Sequence, residues 1–161
     1  MKRSFLTACA SALLFVSASH AADYLDANER TKGRSYSPAV ITDGGRVVWL
    51  AGETAVTDAN GKDIRGDFEA QTRAAFAQID ETLKRAGGSL QDVVSITTYL
   101  TDARNGAIFS KVRGEMFPSK NYPASAQITV SALAVPGMQI EIHAVAVIGD
   151  KCSKPTPCVS R

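Results

Sequence analysis

Towards the end of the chain the sequence runs Gln139-Ile140-Glu141-Ile142-His143-Ala144-Val145-Ala146-Val147. Its alternation is that of a β-strand, in which side chains two apart share a face. Glu141 and His143 therefore stand side by side where packing would favour carbon. A carboxylate and an imidazole at that spacing could hold a water or pass a proton. The structural alternative for Glu141 is a strand-edge carboxylate satisfied by solvent or by a nearby cation, because burial without a partner costs several kcal/mol. For His143 a packed, hydrogen-bonded ring is the expectation.

Other chemistries find little support. The chain has no Gly-rich phosphate loop and no Ser-His-Asp set. It also lacks a cluster of metal-ligating residues, so neither a metal nor a cofactor is expected. Met-Lys-Arg, a short apolar run and small residues at Ser19 and Ala21 make residues 1–21 read as a secretory signal. The run is too short to span a bilayer comfortably. Cys9 precedes most of it, whereas a lipid-modified cysteine follows such a run. The expected product is a periplasmic or secreted protein with no membrane attachment after cleavage.

Loss of the signal takes Lys2 and Arg3 with it, leaving 16 basic residues against 16 acidic ones from the original 18 and 16. A balanced chain without a basic run gives a nucleic-acid partner no electrostatic support. His20 and Cys9 leave too, so His143 becomes the single histidine. Cys152 and Cys158 remain, and in an oxidising compartment they are expected to form a disulfide, worth about 2 kcal/mol for so short a loop. The rest is one domain, residues 35–149, with a polar extension at 22–34 and a cysteine-containing tail at 150–161.

The elements that must position these residues follow from local pattern. Strands at 36–42 and 46–53 flank an Asp43-Gly44-Gly45 turn and read as a hairpin. Asp67 can cap a helix whose apolar stripe is Phe68, Thr72, Ala75, Phe76, Ile79, Leu83 and Ala86. Gly87-Gly88 ends it. Residues 92–101 are rich in β-branched side chains and predict a central strand. A second helix at 104–117 turns Ile108, Val112, Met116 and Phe117 inward and stops at Pro118. The last strands are 124–133 and 138–148. The order β-β-α-β-α-β-β predicts an α+β two-layer sandwich, a mostly antiparallel sheet with two helices on one face. The uncovered face would carry Val93, Ser95, Thr97 and Tyr99 with Glu141, His143, Val145 and Val147, too apolar to stay wet. Oligomerisation through that face is expected.

Two segments carry a resemblance: Tyr122-Pro123-Ala124-Ser125-Ala126-Gln127-Ile128-Thr129-Val130-Ser131-Ala132-Leu133, and Gln139 to Val147. Together they resemble the C-terminal signature of the Rid/YjgF family, the reactive-intermediate imine deaminases once called L-PSP endoribonucleases. The likeness spans residues 35–148 and includes Ser35-Tyr36-Ser37-Pro38-Ala39-Val40, Leu50-Ala51-Gly52-Glu53, Asp92-Val93-Val94 and Met116-Phe117-Pro118. It implies a chorismate mutase-like homotrimer around a central barrel, with a small molecule bound in clefts between subunits. It also implies that Glu141 helps position a hydrolytic water and that Tyr36 lines the cleft.

Departures from the family pattern surround the same cleft. Deaminating members have Pro-Ala-Arg where this chain has Pro123-Ala124-Ser125, and that arginine grips the substrate carboxylate. A serine hydroxyl cannot replace a planar, permanently charged fork. Gln127 replaces a small or thiol residue, Ala51 an often-present serine, and Ser110 lies near a family asparagine. Deamination of 2-imino acids is therefore not the expected reaction, and a substrate lacking the carboxylate is. The alternatives are a trimer that binds a small molecule without turnover, or one with a stress-related or chaperone-like role. Arg113 and Lys120 are the nearest other cations in sequence, and both read as solvated charges on a helix and a loop.

Overall fold

In the computed structural model the described residues are 22–149. The signal at 1–21 and the cysteines Cys152 and Cys158 lie outside them. Helix α1 (Phe68–Arg85) begins where the Asp67 carboxylate accepts from the Ala70 amide at 3.0 Å, satisfying a donor that the first turn cannot. Phe68, Thr72, Ala75, Phe76, Ile79 and Leu83 form the expected buried stripe. Gly87 ends the helix in the left-handed region at φ +82°. Gln71 is buried on the same stripe. Its amide donates to the Ile64 and Gly137 carbonyls at 3.0 and 2.8 Å and accepts from the Gln139 amide at 2.8 Å. That clamp fixes the entry into the Glu141 strand.

Four strands form the sheet: β3 (Arg46–Trp49), β4 (Val93–Leu100), β5 (Ala124–Thr129) and β6 (Ile140–Ile148). The order is β3-β6-β4-β5, with β6 antiparallel to both neighbours and β4 parallel to β5. Helices α1 and α2 (Gly106–Met116) cover one face. There Ile96, Leu100, Ile140, Ile142, Ala144 and Ala146 meet Phe76, Ile79, Leu83, Phe109, Val112 and Phe117. The Phe76 ring stacks on Phe109 and meets Phe117 edge-on, both at 6.1 Å between centroids, geometries that add to area burial. This is the expected α+β two-layer architecture. Among the described residues no helix is long and apolar enough to cross a membrane.

Three details differ from the sequence expectation. The Asp43-Gly44-Gly45 turn does not close a hairpin: β2 is only Val40–Ile41 and pairs with β1 (Asp23–Tyr24). The extension read as polar supplies that strand because it has apolar surface to bury. Ala22 and Tyr24 pack on Val94 and Val147, and the Tyr24 hydroxyl donates to the Val93 carbonyl at 3.2 Å. Second, an irregular register between Val93 and Ser95 turns Val93 into the core and Val94 to the far face. Third, α2 is rotated. Phe109, Val112 and Arg113 point inward, while Ile108 is 38% exposed.

The far face of the sheet carries Ser95, Thr97 and Tyr99 from β4 and Glu141, His143, Val145 and Val147 from β6, as expected from alternation. Val47 and Trp49 of β3 lie opposite Val147 and Val145. They are 48% and 75% exposed, an apolar surface that a soluble monomer seldom leaves in water. The α2 register is checked by urea denaturation. Phe109→Ala should cost about 3–5 kcal/mol, and Ile108→Ala should stay within about 0.5 kcal/mol of the native chain.

Candidate functional site

The candidate residues fall into two groups on opposite faces of the sheet. Ser125 and Gln127 are paired in register with Ile96 and Thr98, so they face the helix layer at the β5 edge. Glu141 is paired with Tyr99 and faces away from the helices.

The first group surrounds Arg113, which is 4% exposed and not solvated as its sequence position had suggested. The helix spacing Phe109, Val112, Arg113, Met116 is an inward stripe in which one member is charged. Arg113 donates from Nη1 to Ser125 Oγ at 2.6 Å and from Nε to Ser35 Oγ at 3.1 Å. Ser35 in turn donates to the Ser110 carbonyl at 2.6 Å. The guanidinium carbon lies 4.9 Å from the Phe109 ring centre and 5.6 Å from that of Tyr36, where the faces of the rings attract a cation. Tyr36 is held beside β5 by the Ser37 amide, which donates to the Pro123 carbonyl at 3.3 Å. Arg113, Ser125, Ser110 and Tyr36, with Arg34, Gly106, Ala107 and Gln127, line a cavity of about 490 Å³. Gly106 lets the Gln127 amide come close, since a Cβ there would stand 2.6 Å from its nitrogen and push that side chain aside.

Among the described residues no carboxylate pairs with Arg113. Burial pushes its guanidinium down to about 10, against smaller opposing effects of Tyr36 and Tyr122. Lys120, the other cation weighed from sequence, is exposed at φ +62° and lines a separate, adjoining cavity of about 770 Å³.

The second group is built on β6. Leu50 donates to the Ala144 carbonyl and Glu53 exchanges two 2.9 Å hydrogen bonds with Ile142, so Ala51 and Gly52 together oppose His143 alone. This is a β-bulge, which re-aims the chain beside a site. Gly52 lies so close to Glu141 that any Cβ there would overlap the carboxylate. Glu141, His143, Tyr99 and Gly52 share a cavity of about 410 Å³ with Val130, Ala132, Leu133 and Ala134. Ala51 is exposed in the bulge and lines neither cavity. Sequence reasoning considered Arg113 but assigned it to solvent, and it passed over Gly52 and Gly106. The available signals were a charge on an apolar helical stripe and glycines outside any turn. Among the described residues no set of His, Cys, Asp and Glu could hold a metal ion.

The chain and its fold match known proteins. Residues 28–148 match the family described as Endoribonuclease L-PSP, and the chain belongs to that family, the YjgF/Rid proteins. A RutC family protein of Pyrococcus abyssi is 33% identical over 111 residues, 69% of this chain and 84% of its own. Protein mmf2, mitochondrial, of Schizosaccharomyces pombe is 32% identical over 126 residues, covering 76% and 94%. Among solved structures, a Rid family protein of unknown function from Yersinia pestis superposes with a TM-score of 0.64 at 33% identity, over 71% of this chain and 87% of its own.

A buried cation without a counter-ion costs folding energy. The unfolded chain keeps this proton more tightly, so the penalty is complete below about pH 10 and fades as pH rises beyond it. Arg113→Met should therefore match or exceed the native urea midpoint at neutral pH, and any advantage should shrink above about pH 10. A loss of several kcal/mol instead would assign the guanidinium a structural role.

Proposed function

We propose that this chain is an exported, homotrimeric Rid-type hydrolase that binds a small imine- or enamine-like molecule in clefts between subunits and hydrolyses its C=N bond. Glu141 is the group assigned to the attacking water. The observation that carries the reading is the Glu141 carboxylate in a cavity made for it by the Gly52 bulge, in a chain of this family.

The chemistry balances with one carboxylate. Glu141 accepts a proton from water as the oxygen bonds to the imine carbon and the C=N π pair moves to nitrogen. Glu141 returns that proton to nitrogen, giving the neutral carbinolamine. It then carries the hydroxyl proton to nitrogen as the C–N bond breaks and the C=O bond forms, so that ammonia or an amine leaves and the carboxylate is restored. The trimer is supported by the exposed Val47 and Trp49 beside Val145 and Val147, an apolar surface suited to copies of the same chain.

Glu141→Gln keeps size and polarity but cannot take a proton. On freshly generated imines, with light scattering to verify a trimer, it should lower kcat by about 100-fold or more and leave ligand affinity within a few-fold. Undiminished turnover would remove Glu141 from the mechanism. A native trimer that binds but turns over no imine would make this a capture protein.

A further inference from the structure

We propose that Arg113 of α2 is a carboxylate receptor, reaching past Ser125 to fix the acid group of a small ligand in the 490 Å³ cavity. The proposal rests on the small-molecule cleft described above and names the class of molecule it takes.

The argument begins with what surrounds the charge. Arg113 is almost wholly withdrawn from water, yet its partners are the neutral hydroxyls of Ser125 and Ser35 and two aromatic faces. Ring faces and hydroxyls orient a guanidinium but do not neutralise it. Nη2 makes no hydrogen bond among the described residues, and Nη1 makes only the bond to Ser125, so donors remain on the cavity side. A guanidinium fork matches the two coplanar oxygens of a carboxylate. Ser110, Ser125 and the Tyr36 hydroxyl are neutral groups on the same walls, suited to one buried negative charge. Arg34, exposed, also lines the cavity and adds long-range attraction for an anion approaching from water.

The residues around Arg113 favour this role over a packing one. Ser125 is small enough for the fork to reach the β5 edge, and its hydroxyl fixes the orientation of Nη1. An arginine on α2 thus stands over the strand position that holds serine. A substrate without an acid group, expected from Ser125 alone, would leave the buried charge unmatched in the occupied site.

The test is isothermal titration calorimetry on the mature trimer with pyruvate, 2-oxobutanoate, the neutral analogue pyruvamide, and inorganic phosphate. The two oxo acids should bind saturably at millimolar concentration or below, and pyruvamide and phosphate much more weakly. Arg113→Met should lower oxo-acid affinity roughly 30-fold to a few thousand-fold. Arg113→Lys should lose about tenfold or more, because an ammonium cannot form the fork. Adding Ser125→Arg to Arg113→Met should recover much of the loss by bringing a guanidinium from the strand side, a rescue that a purely structural role would not give. Equal binding of pyruvamide and pyruvate overturns the proposal, as does an unaffected Arg113→Met variant or preferential binding of phosphate. Neutral imines hydrolysed through Glu141 by a trimer indifferent to oxo acids would sink this proposal and spare the proposed function. Oxo acids bound through Arg113 by a trimer that hydrolyses no imine would do the reverse.

Discussion

The guanidinium of Arg113 lies against the Phe109 and Tyr36 rings with hydroxyls on its donors and no carboxylate beside it among the described residues. Much of the surrounding structure is needed to hold it there. Helix α2 is turned so that position 113 faces inward and Ile108 faces out. The segment carrying Ser35 and Tyr36 is tied to the start of β5 through Ser37 and Pro123. The strand residue under the fork is a serine. Stability comes from elsewhere, in the Phe76, Phe109 and Phe117 cluster and the aliphatic face of β4 and β6. One charge held in the helix layer is a local cost that such a core can carry.

The sheet itself imposes the second constraint. Side-chain alternation places Ser125 and Gln127 on the helix face and Glu141 on the other, and no rotamer brings groups across a strand to the same side. A ligand that touches both clusters must lie where the β5 edge of one copy meets the far face of another. In the proposed trimer the apolar far face, with Trp49 and Val47 exposed on it, would be the surface for that meeting. Site and assembly are in this way one requirement rather than two.

Much of this was legible in the sequence because it depends on local pattern. The α1 stripe, its Asp67 cap, its glycine stop and the Glu141 alternation follow from periods of 3.6 and 2, and each has its expected place. What could not be read depends on contacts distant in sequence. The β1–β2 pairing competes with a hairpin that the Asp43-Gly44-Gly45 turn would otherwise favour, and Tyr24 decides it by packing across the molecule. Arg113 was assigned to solvent because charged residues usually are, although its spacing from Phe109 and Val112 already put it on the buried stripe. Gly52 signalled only that it stands outside any turn, since what it does is leave space for a side chain on another strand.

The most direct measurement is a crystal structure of the trimer with 2-oxobutanoate bound. The account predicts the carboxylate on the Arg113 fork beside Ser125, with the carbonyl carbon facing Glu141 from a neighbouring subunit. A structure in which a neighbouring subunit's carboxylate already occupies Arg113, with the oxo acid elsewhere or absent, would contradict it.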